Sequence, residues 1–149
     1  MSTKHLSLSD EQYQDLLTLL HLGEWMVNSH RETIIEQYDE LIQHVSTFAA
    51  EFNAQELVEY DEEIEGFAPT LDFEEEYMEM VEEYDEVTFW DELITRLVER
   101  DLGEQFGEEE LQHVDLDERL AAEFPLSSKY EAEFDQFGID RLKLDNIDE

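Results

Sequence analysis

Between Tyr13 and Phe52 apolar residues return every three or four positions, in two runs broken only by a polar stretch around residues 28–33. That is the 3.6-residue period of a helix with one buried face, not the two-residue alternation of a strand. In the first run Tyr13, Leu16, Leu17, Leu20, Trp25 and Val27 set the stripe, and Leu19, Leu22 and Met26 widen it. Ser9-Asp10-Glu11-Gln12 ahead of it is a capping box, in which the Ser9 hydroxyl accepts from the Gln12 amide and the Gln12 side chain reaches back; Leu8 and Tyr13 supply the hydrophobic staple. Gly23 lies inside the pattern at a cost of about 1 kcal/mol relative to Ala, and its predicted use is close approach of a neighbouring helix. A second box, Ser29-His30-Arg31-Glu32, starts a helix whose stripe is Ile34, Ile35, Tyr38, Leu41, Ile42, Val45, Phe48, Ala49 and Phe52. So short a connection favours antiparallel neighbours, and residues 10–52 are predicted to form a helical hairpin.

The remaining segments follow the same period less tidily. Residues 53–71 read as an acidic connection: Asn53 can cap a short helix through Tyr60, then Asp61-Glu62-Glu63 and Gly66-Phe67-Ala68-Pro69 break the pattern, and Pro69 pushes Ala68 out of the helical region. Phe67 and Leu71 are the anchors expected there. Helix resumes at Asp72, with Phe73, Tyr77, Met80, Val81 and Tyr84 on one face, and continues through Phe89, Trp90, Leu93, Ile94, Leu97, Val98 and Leu102 to Gly103. Thr88 offers a fresh cap, so 73–102 fits either one bent helix or two. Short helices are predicted over 108–138, one capped by Asp115 and ending before Pro125, another capped by Ser128 and stopping at Gly138. The tail 140–149 is expected to fray, with Ile139, Leu142 and Leu144 available to dock. With no internal repeat and no sustained alternation, the predicted fold is all-α: a single-domain helical bundle of five or six helices over 1–149.

Charge limits what such a fold can meet. Of 149 residues 43 are acidic and only 8 are Lys or Arg, a formal charge of −35. Leu, Ile, Val and Phe still make up about 28% of the chain, above the roughly 20% below which highly charged chains stay disordered. Duplex DNA and anionic membranes are excluded as direct ligands, because polyanions repel one another. The absence of Cys removes disulfides and thiolate metal sites. The first ten residues hold no apolar run of signal-peptide length, and no segment approaches the roughly 20 apolar residues that span a bilayer, so a cytoplasmic protein is expected.

The acidity is uneven: residues 56–118 hold 26 acidic side chains and 2 basic ones. The densest runs are Tyr60 to Glu65 and Phe73 to Glu86, and in the second the apolar spacing stays helical. Thirty-five charges match about 60 Å of duplex DNA. Three readings fit this field: a solvated face serving solubility, a docking face for a basic protein partner, and adaptation to high salt. The last fits less well with 29 Glu against 14 Asp. If a partner is engaged, Glu62, Glu63, Glu75, Glu76, Glu79, Glu82, Glu83 and Glu86 are the residues expected to bind it. A homodimer is compatible with the pattern, since bundles bury leftover stripes.

Catalytic signatures are missing. The five glycines form no phosphate loop, and HExxH, GxSxG and EF-hand patterns do not occur. A non-enzymatic protein without cofactors is expected. The alternative is a cation or small-molecule site on the hairpin, from His21 with Glu24 at i,i+3 and Glu40 with His44 at i,i+4; among so many acids such pairs also arise by chance, and His21 beside Leu19, Leu20 and Leu22 is more readily a partly buried structural histidine. Trp25, Tyr84, Phe89 and Trp90 are expected in the core. Arg31, Arg96 and Arg100 are expected in surface ion pairs.

Two segments, LGEWMVNSHR (Leu22 to Arg31) and YDEVTFWDELITRLVERDL (Tyr84 to Leu102), resemble stretches of small acidic helical proteins of bacteria. The resemblance implies a bacterial, cytoplasmic origin and carries no catalytic residue across. In charge and size alone the chain is also similar to DNA-mimic anti-restriction and nuclease-inhibitor proteins, which implies a basic, nucleic-acid-binding partner. The function expected from the sequence is therefore a non-enzymatic acidic interaction protein that engages a basic macromolecular surface.

Overall fold

The computed structural model describes residues 4–111 and 113–143. They fall into two compact units, Met1–Glu83 and Tyr84–Glu149.

In the first unit, helix α1 (Asp10–Asn28) opens on the predicted capping box: Ser9 Oγ accepts from the Gln12 N–H at 3.2 Å, and the Ser9 N–H donates to Gln12 Oε1 at 3.0 Å. Its buried face, Tyr13, Leu17, His21 and Asn28, is narrower than the sequence stripe, since Leu19 and Met26 are exposed. Among the described residues no other element comes within 4 Å of where a Gly23 Cβ would stand, so Gly23 does not serve a close helix contact.

The second capping box does not form. Ser29 instead ends α1, its N–H donating to the Trp25 carbonyl, and helix α2 (Glu36–Ser46) begins behind Ile35 with no side-chain cap. Asn28 organises the turn: its Nδ2 donates to Glu24 Oε1 at 2.9 Å and its Oδ1 accepts the Ile35 N–H at 2.8 Å. A buried amide that both donates and accepts holds the two helix ends together, which the Ser29 hydroxyl, one position on and exposed, does not.

A short 3-10 turn (Ala49–Phe52) ends at Asn53, whose backbone is left-handed at φ 53°. Asn53 thus closes a helix instead of starting one, and its Nδ2 donates to Asp10 Oδ2 at 2.7 Å. Beyond it stand two strands, β1 (Val58–Asp61) and β2 (Gly66–Pro69), paired antiparallel with Tyr60 opposite Phe67 and Asp61 opposite Gly66. The chain is therefore mostly helical but not all-α. Tyr13, Leu17, Ala49, Ala54, Val58, Phe73 and Tyr77 form the core of this unit, with Phe52 stacked on Tyr13 at 4.4 Å between ring centroids. The Tyr13 hydroxyl donates to the Val45 carbonyl at 2.7 Å, tying α1 to the end of α2. Phe67 packs against this core as expected, whereas Leu71 is 68% exposed and anchors nothing.

Helix α3 (Leu71–Phe106) is one uninterrupted helix, with no fresh start at Thr88. Its residues up to Glu83 belong to the first unit and those from Tyr84 to the second. The second unit adds the single turn α4 (Glu108–Leu111) and helix α5 (Leu116–Phe137). Asp115 caps α5 by accepting from the Asp117 N–H at 3.3 Å, and Gly138 ends it at φ 53°. The two short helices expected here are one, because α5 passes through Pro125. Proline removes one hydrogen bond from the ladder; here Pro125 and Ala121, whose carbonyl loses its partner, are both exposed, and an exposed carbonyl can bond to solvent instead. Val98, Leu102 and Phe134 are buried, and Trp90 packs on Phe134 at 5.4 Å. Tyr84 and Phe89, expected in the core, are each 51% exposed. Ile139 and Leu142 are exposed as well, and the tail from Leu144 lies outside the described residues. Among the described residues no helix is long and apolar enough to cross a membrane.

Candidate functional site

On α3 the acidic side chains sort by the helical period. Glu75, Glu76, Glu79, Glu82, Glu83 and Glu86 fall within an arc of about 120° at 100° per residue. Phe73, Tyr77 and Val81, which are buried, occupy the opposite side. All six glutamates are exposed. They stand at i,i+3 and i,i+4 from one another, spacings at which like charges destabilise a helix by a few tenths of a kcal/mol per pair.

Among the described residues no cation pairs with them. Among the described residues the ion pairs are Arg96–Glu92, Arg100–Asp101 and Arg141–Glu133, all within the second unit and none with a glutamate of this stripe. The sequence explains the disparity: residues 1–83 hold 22 acidic and 2 basic side chains, residues 84–149 hold 21 and 6. Only Glu86 has a described partner, accepting from Trp90 Nε1 at 2.8 Å. Glu62 and Glu63 stand apart on another element, the loop joining β1 to β2, where the Glu63 N–H donates to Asp61 Oδ1 at 2.7 Å. The structure thus gathers six of the eight sequence-derived residues on one helix face and places two at a hairpin tip.

The histidine candidates are not gathered. His21 is 9% exposed, stacked on Tyr77 and edge-on to Phe73, each at 5.4 Å. Its Nε2 has no hydrogen-bond partner among the described residues, and burial lowers its pKa against the opposing pull of Glu24. Burial, with Glu74 and Glu24 adding to it, pushes the neighbouring Tyr77 hydroxyl up to about 12. Glu24 holds Asn28. Glu40 and His44 lie exposed on α2, with His44 edge-on to Phe48. Among the described residues no three His, Asp or Glu side chains are placed to hold a metal ion together.

One feature of the first unit had no signal in the sequence. Gln43 of α2 bonds both ends of the Phe67 peptide in β2, at 2.9 and 2.7 Å, and shallow hollows open on either side of it. Ile34, Asp39, Ile64 and Glu65 line one; His44, Thr47, Tyr60 and Phe67 line the other; Gln43, Glu65 and Gly66 are common to both.

No protein-family model, curated protein or solved structure matches the chain.

Proposed function

We propose that this protein is a non-enzymatic acidic ligand for a basic macromolecular surface, with the glutamate face of α3 as its principal contact. The observation that carries this reading is the unneutralised stripe itself: six exposed carboxylates on one helix face, five of them in a unit with 22 acidic and 2 basic residues. A helix face that retains several repulsive spacings with no compensating cation is less stable than one with mixed charge, and attraction to a cationic partner offsets that repulsion. The spacing also suits a surface that reads phosphates. From Glu75 to Glu86 the helix rises about 16 Å, so six charges stand roughly 3 Å apart along the axis, close to the one charge per roughly 3.4 Å of axis that each strand of duplex DNA carries. A protein that normally tracks a phosphate backbone would meet a similar charge density here.

The test is competition. A cationic DNA-binding protein is bound to labelled duplex DNA, and the acidic protein is titrated in at low and moderate salt. Release of the DNA is expected, with affinity falling steeply as salt rises. Replacing Glu75, Glu76, Glu79, Glu82 and Glu83 together by Gln is expected to weaken the competition about tenfold or more and to flatten the salt dependence. Competition that is unchanged by those five substitutions refutes the α3 assignment.

A further inference from the structure

We propose that the groove between α2 and the β1–β2 hairpin receives Lys or Arg side chains from a basic protein segment. The walls of its first hollow are two exposed isoleucines, Ile34 at 51% and Ile64 at 60%, and the same hollow is lined by Asp39 and Glu65. An apolar wall beside a carboxylate matches a long cationic side chain, which lays an aliphatic stem on apolar surface and keeps its charged head at the rim. In the second hollow Tyr60, 58% exposed and set edge-on to Phe67, offers an aromatic face beside Glu65, a fitting surface for a cation. Because the hollows share Gln43, Glu65 and Gly66, one segment reaches both.

The groove is preformed. Gln43, its floor, is fixed at both ends by the Phe67 backbone, and Gly66 lets the Gln43 side chain lie against the hairpin, since a Cβ there would stand 2.8 Å from Gln43 Oε1. Charge selects the occupant. A second copy of this chain would bring a unit with 22 acidic and 2 basic residues against its equal, whereas a basic segment brings the opposite sign.

This inference rests on the reading that the partner is basic, and adds where its side chains go. The probe is a fluorescein-labelled hexalysine peptide, followed by anisotropy at about 50 mM and about 300 mM salt. Three variants are compared with the wild type: I34S/I64S, D39N/E65Q, and the α3 variant with five Glu→Gln changes. All substituted side chains are exposed, and circular dichroism melts confirm that each variant folds. Each groove variant is expected to bind about tenfold more weakly, and the loss from I34S/I64S persists at the higher salt, because apolar contact is not screened. Groove variants that bind like the wild type while the α3 variant is weakened overturn the groove and leave the basic-partner reading standing. Weakening by the groove variants alone supports the groove and removes α3 as the principal contact. A wild type that does not bind hexalysine even at the lower salt overturns both.

Discussion

Gln43 acts as a one-residue third strand for Phe67: its Nε2 donates to the Phe67 carbonyl at 2.9 Å and its Oε1 accepts the Phe67 N–H at 2.7 Å. The part-buried peptide edge of β2 is thereby satisfied without a neighbouring strand, and α2 is joined to the hairpin. Gln43→Ala strands both peptide groups and is expected to destabilise the protein by about 1–2 kcal/mol. Gln43→Glu accepts the N–H but offers the carbonyl no donor, so it recovers at most part of that loss. Urea denaturation gives the stabilities. Faster hydrogen exchange at the Phe67 amide in Gln43→Ala would tie the loss to this contact.

In the second unit the Tyr130 hydroxyl donates to Asp101 Oδ2 at 2.5 Å, and Arg100 donates to both Asp101 and Tyr130. The Tyr130 bond is the first cause holding the Asp101 carboxyl below its usual pKa, followed by Arg100. Arg100 is 56% exposed, so its own contribution is small. Tyr130→Phe is expected to cost about 1–2 kcal/mol at neutral pH. A carboxyl whose folded pKa is depressed stabilises the fold fully above its unfolded value of about 3.9, and that stability is lost as pH falls through the lower folded value. The gap between wild type and Tyr130→Phe should accordingly be constant from pH 7 to about 5 and close below about 4, as measured by denaturant midpoints.

What the sequence revealed and what it hid divide along physical lines. The Ser9–Gln12 box, the Asp115 cap and the Gly138 stop were legible because each depends on residues within four positions of one another. The hairpin was not: Val58, Glu59, Tyr60 and Asp61 alternate for only four residues, too short to outweigh the surrounding helical period, and what completes β2 is Gln43, 24 positions from Phe67. Ser29 matched the capping pattern, but the buried Asn28 amide, bonding Ile35 seven positions on, decided where α2 starts. The helical course of the acidic run Phe73 to Glu86 was readable from its apolar spacing. The groove was not, since Ile34 and Ile64 looked like any other apolar residues until the hairpin set them on one hollow.

Ser46 is 1% exposed and its Oγ has no hydrogen-bond partner among the described residues. A hydroxyl taken out of water without a replacement bond costs about 1–3 kcal/mol, and Ala fits the same space. Ser46→Ala is therefore expected to raise stability by about 1 kcal/mol, seen as a higher denaturant midpoint at unchanged slope. A loss of stability would mean that the hydroxyl is satisfied in solution.

Self-repulsion sets the response to salt. With 22 acidic and 2 basic residues in the first unit, screening weakens repulsion between exposed carboxylates more than it weakens the few attractions. The melting temperature is expected to rise from low to moderate salt. The rise should be smaller in the variant with five Glu→Gln changes on α3, whose melting temperature at low salt should start higher.

His21 gives the first unit a pH dependence of its own. Its ring lies between the Tyr77 face and the Phe73 edge, and Nε2 meets no acceptor, so the neutral form is the one that packs. Burial lowers its pKa; Glu24 pulls the other way but is also bonded to Asn28. For a histidine with a depressed folded pKa, the unfolded chain takes up the proton first. Stability is thus undiminished above the unfolded value of about 6.5 and falls as the pH drops below it toward the lower folded value, by at most about 1.4 kcal/mol per pH unit. His21→Leu keeps the apolar packing and removes the titration. Its stability relative to wild type should be flat between pH 8 and 7 and should increase from pH 6.5 to 5.5. A difference that stays constant over that range would show that protonation of His21 is no harder in the folded protein than in the unfolded chain.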